Sequence, residues 1–156
     1  MAKSSTVLTI AIIMLLLAFA PSIEGKPTGK ADASGGCTCH STSSTVTPQH
    51  NFPTDYTPNQ VYNIQISMQG GVVGSEGGFA LNVDQGAYSN GGADVTFLTT
   101  TATHSNPSQR SWNFDWTAPA AGSGAVSVAL ATLAANSNGA NTGDSKGATT
   151  HTINEL

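Results

Sequence analysis

The chain has 156 residues, five basic and nine acidic, and a formal net charge of −4 at pH 7. A mildly acidic chain without a basic cluster lacks the electrostatic footprint of proteins that bind nucleic acids or anionic membrane surfaces. Few charges combined with abundant Gly, Ser, Thr, Asn and Ala are typical of exported β-rich domains.

Residues 1–25 have the pattern of an export signal. Lys3 is the only charge before an apolar run over residues 7–20, and Pro21 ends that run. About fourteen apolar residues are fewer than the ~20 that span a bilayer, and are normal for a signal peptide. An uncleaved anchor is the alternative. We expect cleavage and a mature chain, without a membrane span, in the periplasm, at the cell surface or in the medium.

Residues 26–36 are a predicted linker, because they combine turn-forming composition with no periodicity. Residues 37–155 are predicted to form one domain, since about 130 mature residues suit a single core. Within this domain, residues 41–60 are rich in Ser, Thr and Pro and cannot form a core of their own. They either surround a large apolar body such as a haem or form a surface loop with Phe52 and Tyr56 beneath it.

From residue 61 the sequence alternates apolar and polar residues with the period of half-buried strands. The predicted strands cover residues 61–68, 79–84, 95–98, 112–116, 126–131 and 149–153. Trp112, Phe114 and Trp116 share one face, so we expect this strand, the tryptophan strand, at the centre of the core. No segment after the signal has a helical period. The pattern predicts an all-β fold, an antiparallel β-sandwich.

Both cysteines lie in one motif, Cys37-Thr38-Cys39-His40, in a Gly/Ser/Thr-rich loop. In the haem-attachment sequence Cys-x-x-Cys-His, two thiols bond to the porphyrin and the adjacent His ligates the iron. His40 keeps that position, whereas the spacer is one residue shorter. The motif favours haem c bound through Cys37, Cys39 and His40, with attachment at both thiols or at Cys39 alone.

Three other interpretations fit the same residues. A Cys37–Cys39 disulfide is within reach, since Cα atoms two residues apart span at most ~7 Å, but its ring is strained. Copper or zinc could bind the two thiols, His40 and a distant His or Met68. An unliganded thiol pair is disfavoured in an oxidising compartment.

A haem held by His40 can take a second axial ligand. The first candidate is His104, in the loop before the tryptophan strand, and His50 is a weaker one. His151 ranks lower, and Met68 is better explained as a core residue because it lies on the apolar face of its strand.

No arrangement of residues indicates an enzyme. Ser and Thr are abundant without a pointed His or Asp partner, no glycine loop precedes a helix, and no paired carboxylates are visible. Asp84, Asn138 and Asp144 carry oxygens that calcium accepts, but turn chemistry explains Asn and Asp beside glycine better.

Four sequence motifs can be compared with those of a known family. They are Tyr-Thr-Pro-Asn-Gln-Val-Tyr (56–62), Gly-Phe-Ala-Leu (78–81), Trp-Asn-Phe-Asp-Trp-Thr-Ala-Pro (112–119), and Ala-Ala-Asn-Ser-Asn-Gly (134–139) followed by Gly-Asp (143–144). In this combination they resemble the exported domain called choice-of-anchor V, related to the Reelin amino-terminal (reeler) domain. The resemblance covers roughly residues 37–153.

The resemblance implies an immunoglobulin-like β-sandwich at a microbial cell surface or in the periplasm. Members often carry a Cys-x-x-Cys-His-like run before the first strand. We therefore expect an exported, c-type-cytochrome-like haem protein for electron transfer or redox sensing, with an unidentified redox protein or surface component as partner. The alternative is a structural or adhesive surface module whose cysteines form a disulfide or bind a structural metal.

Overall fold

The computed structural model describes Gly29 and residues 39–156. The predicted signal peptide, most of the predicted linker and Cys37 therefore lie outside the described residues. None of the described residues belongs to a helix, so this part of the chain contains no apolar helix of membrane-spanning length.

Ten strands form the described part of the chain, which is all-β as predicted. They are β1 (Thr42–His50), β2 (Asp55–Tyr56), β3 (Val61–Gly70), β4 (Gly77–Val83), β5 (Ala87–Ser89), β6 (Val95–Leu98), β7 (Thr101–His104), β8 (Ser111–Thr117), β9 (Val126–Ala134) and β10 (Asp144–Glu155). The six predicted strands correspond to β3, β4, β6, β8, β9 and the second half of β10. The other four strands correspond to no prediction, and β1 occupies half of the segment expected to be irregular.

The strands pair in the order β5-β8-β3-β1-β10-β9-β4-β7-β6, and β2 pairs with β10. The first part of β1, residues 42–45, pairs in parallel with residues 144–146 of β10. Residues 46–50 pair antiparallel with residues 66–70 of β3. β1 therefore changes partner along its length and joins two groups of strands, β5-β8-β3 on one side and β10-β9-β4-β7-β6 on the other.

The sheet curls until its two ends meet. β8 and β4 are five places apart in the pairing order, yet the ring centres of Phe79 in β4 and Trp112 in β8 are 5.0 Å apart. At the ends of the order, Tyr88 of β5 stacks on Phe97 of β6 with ring centres 5.4 Å apart. Tyr88 Oη also donates to the Thr100 carbonyl at 3.2 Å. Side-chain packing between β5 and β6, the two end strands of the pairing order, therefore closes the fold.

The tryptophan strand, β8, lies in the core as predicted, because Trp112, Phe114 and Trp116 are all at most 1% exposed. Phe52 and Tyr56 pack edge-on against the Trp116 ring at 5.8 and 6.2 Å. Residues 41–60 were predicted either to surround a large apolar body or to cover Phe52 and Tyr56. The positions of these two side chains fit the second prediction. They are themselves part of the core, and Met68 packs against the core as a partly buried side chain.

Candidate functional site

Cys39 and His40 lie in a turn just before β1, against the start of β10. His40 Nδ1 lies 2.5 Å from Asp144 Oδ2, and the two side chains are 17% and 2% exposed. Because a carboxylate oxygen accepts, His40 Nδ1 donates, and the neutral imidazole then keeps its lone pair on Nε2. The pair thus fixes the tautomer of His40 and leaves Nε2 as the atom available for ligation.

The Asp144 carboxylate is held in place by the loop that precedes β10. The backbone N–H of Asn136 donates to Asp144 Oδ1 at 3.0 Å. The preceding Gly143 has a φ of +80°, and a Cβ there would come within 2.6 Å of Asn136 Nδ2. The positive φ therefore favours glycine at this position, and a larger residue would also displace the Asn136 amide.

The same loop holds the main chain of the Cys-His motif. Asn141 Nδ2 donates to the Cys39 carbonyl at 3.0 Å, and the Ser41 N–H donates to the Asn141 carbonyl at 2.8 Å. On the other side, the Lys146 ammonium donates to the His40 carbonyl at 3.5 Å. The motif is thus anchored through its backbone and the His40 Nδ1 atom, while the partly buried Cys39 is a free cysteine.

His40 is suited to ligate haem iron through the lone pair on Nε2. The adjacent Cys39 thiol is suited to bond to the porphyrin. The surroundings are less suited to a large apolar ring, because the side chains that hold the motif are those of Asn141, Asp144 and Lys146. No three His, Cys, Asp or Glu side chains form a metal-binding group among the residues that the structure describes. The described half of the motif therefore offers a ligating atom without a complete coordination shell.

His104, the first candidate for a second axial ligand, lies at the end of β7. Its Nδ1 atom is 3.1 Å from both the backbone N and O of Phe79, and its ring centre is 6.1 Å from that of Trp112. β10 and β7 are three places apart in the pairing order, which corresponds to about 14 Å. His104 packs near Phe79 and Trp112, whereas His40 contacts Asp144 on a strand three places away, so the structure places the two imidazoles apart.

His50, the weaker candidate, lies at the opposite end of β1 from His40. It lies eight positions after Thr42, or about 26 Å along the strand. Its ring contacts Phe52 and His151, with centres 5.8 and 4.9 Å apart. Burial, and secondly the neighbouring His151, lower the pKa of His50. The structure thus places His50 with His151 and away from the Cys-His motif.

The three residues weighed as calcium ligands all accept hydrogen bonds from nearby backbone. Asp84 Oδ1 accepts from Ser127 N at 2.9 Å, Asn138 Oδ1 accepts from Ala140 N at 2.8 Å, and Asp144 binds as described above.

The contact between Asp144 and His40 is absent from the sequence-based predictions. The only sequence feature that marks Asp144 is its position next to a glycine at the start of a strand, and a turn explains that feature equally well.

A scan against protein-family models matched no family, and a search of curated proteins found no match. The fold and the site therefore define the class: an all-β domain whose N-terminal Cys-His segment is anchored on a buried aspartate at the start of its last strand.

Proposed function

We propose that this protein is an exported, haem-binding β-sandwich that serves electron transfer or redox sensing. Cys39, together with Cys37, bonds to haem c, and His40 Nε2 ligates the iron. The observation that carries this proposal is the short His40 Nδ1–Asp144 Oδ2 contact of 2.5 Å. The site is proposed as a cofactor site and not as the centre of an enzyme.

The contact supports ligation because histidines that bind metals commonly donate their second N–H to a carboxylate or a carbonyl. Such a partner fixes the ring and makes the ligating nitrogen more basic. A more basic axial ligand favours the ferric form and lowers the reduction potential of a haem. The protein would therefore set the potential through Asp144, and the porphyrin would supply the electron chemistry.

The finer assignment of the fold belongs to the same proposal. The two groups of strands joined by β1, with Phe79 packed against Trp112 between them, support an immunoglobulin-like sandwich. Such a sandwich agrees with the resemblance to choice-of-anchor V and reeler domains. Export and a position outside the cytoplasm follow from the predicted signal peptide.

The proposal is tested by producing the full chain with export and haem-attachment machinery and recording its absorption spectrum before and after denaturation. A Soret band that stays with the denatured polypeptide is expected. Single Cys37→Ser and Cys39→Ser variants distinguish two-point attachment from attachment at Cys39 alone, and Asp115→Asn is a control on the opposite group of strands. Colourless protein under conditions that load a known c-type cytochrome would overturn the proposal.

The second candidate is a structural or adhesive surface module whose cysteines form a disulfide or hold copper or zinc. It is favoured by the polar side chains around the motif and by the burial of Phe52 and Tyr56 within the core. Mass spectrometry separates these cases. A Cys37–Cys39 disulfide lowers the mass by two hydrogen atoms, and a bound metal raises the mass of the native protein.

A further inference from the structure

A second cluster of ligating side chains lies at the far end of β1. His50 is the last residue of β1, and His151 lies near the end of β10. Their ring centres are 4.9 Å apart, and the rings are tilted by 51°. Both side chains are partly buried, and the length of β1 separates them from Cys39 and His40.

The spacing of the two rings matches that of two imidazoles on one metal ion. With Zn–N bonds of about 2.0–2.1 Å and roughly tetrahedral angles, ring centres on a shared ion lie about 5 Å apart. Both residues belong to strands, so their backbones are held by sheet pairing. The strands therefore hold the two rings at the separation seen in the structure.

The hydrogen bonds of His151 prepare one nitrogen for ligation. His151 Nε2 lies 2.8 Å from the Pro53 carbonyl, and a carbonyl oxygen only accepts, so Nε2 carries the proton. The lone pair of neutral His151 is then on Nδ1. Histidines that bind a metal through one ring nitrogen are commonly oriented by donating the N–H of the other nitrogen to a backbone carbonyl.

On the second histidine, His50, the Nδ1 atom lacks a hydrogen-bond partner. His50 Nδ1 is buried and makes no hydrogen bond, although buried polar atoms in folded proteins are nearly always bonded. A metal ion bound there would supply the missing partner. This observation is independent of the ring spacing and of the His151 tautomer.

We propose that His50 and His151 form a binding site for a divalent transition-metal ion, with water completing the coordination shell. Two neutral imidazoles without a carboxylate favour zinc, nickel or copper over magnesium and calcium, which prefer oxygen ligands. The ion would tie the end of β1 to β10 and would act as a structural clamp. This site is separate from the proposed haem site and does not depend on it.

The test adds Zn²⁺ to full-length protein in which Cys37→Ser, Cys39→Ser and His40→Ala remove the first site. We expect one zinc per chain by isothermal titration calorimetry and a melting temperature that rises with zinc concentration. Adding His50→Gln or His151→Gln to this background should weaken zinc binding at least tenfold. Adding His104→Gln, which changes a histidine outside the pair, should leave the affinity unchanged.

Binding is also measured on the wild-type chain by NMR of the imidazole nitrogens, so the result does not depend on a variant that folds poorly. Zinc is expected to shift the His50 and His151 ring signals together. No zinc uptake in the background variant, or uptake that neither His50→Gln nor His151→Gln weakens, would overturn the proposal. Neither result would bear on haem attachment at Cys39.

Discussion

Replacing Asp144 by alanine tests whether β10 anchors the Cys39–His40 segment. The Asp144 carboxylate is buried and accepts hydrogen bonds from His40 Nδ1 and from the backbone N–H of Asn136. The substitution removes both acceptors and leaves two donors in a confined space. We expect a less stable protein in which the His40 side chain is no longer held and only backbone contacts anchor the segment before β1.

The size of the effect follows from these contacts. A hydrogen bond to a charged group contributes about 1.5–3 kcal/mol. Because the two bonds share one carboxylate and are not additive, the Asp144→Ala loss in unfolding free energy is about 3 kcal/mol. In a domain of this size that loss lowers the melting temperature by about 12 °C.

The assay is urea unfolding of the wild type, Asp144→Ala, His40→Ala and the double variant. Residues in direct contact couple by about 0.5–3 kcal/mol in such a cycle, and we expect at least 1 kcal/mol here. The control is Asp115→Ala, which removes a more accessible carboxylate bonded to Asn63 and Asn90 and should cost much less. Effects of His40→Ala and Asp144→Ala that add within 0.3 kcal/mol would refute the anchoring.

Two further predictions concern the core and the response to acid. Phe79→Ala should cost about 3–5 kcal/mol in urea unfolding, while Val73→Ala, at a side chain 96% exposed, should change stability by less than about 0.5 kcal/mol; equal effects would contradict the assignment of the core. The backbone N–H groups of Gly122 and Gly124 lower the pKa of Glu155 below its ordinary value of 4.5. The stability contributed by the Glu155 carboxylate is therefore complete above about pH 4.5 and is lost as pH falls through the folded-state pKa. Thermal unfolding of Glu155→Gln across pH 3–6 should show a weaker acid dependence than the wild type, and identical slopes would contradict this origin.

The strands that face the core on one side could be predicted from sequence. Along β8 and residues 126–130 of β9, buried side chains alternate with more exposed ones, and the alternation of apolar and polar residues reports this directly. β1 lacks the pattern because it contributes backbone pairing more than buried side chains. Val46 is its only buried residue among those whose burial is described. Pro48, which argues against an inner strand, is tolerated where β1 pairs with β3 and its pairing with β10 has ended.

The candidate site was predictable only in its local half. Cys39 and His40 are adjacent in sequence and define a motif that can be recognised. Asp144 lies 104 residues after His40 and meets it because β1 pairs in parallel with β10, a long-range contact that no local pattern encodes. The proximity of His50 and His151 has the same origin, since the two residues are 101 positions apart and each belongs to one of these two strands.

The order of β1 and β10 along the chain has a consequence during biosynthesis. Residues 42–45 of β1 take residues 144–146 of β10 as their parallel partner, so this part of β1 cannot dock until those residues have been made. Until then the Cys39 carbonyl lacks its contact with Asn141, and the His40 imidazole lacks its contact with Asp144. These contacts form when His40 docks on Asp144. A chain truncated before residue 144 should therefore keep Cys39 accessible to thiol-reactive probes.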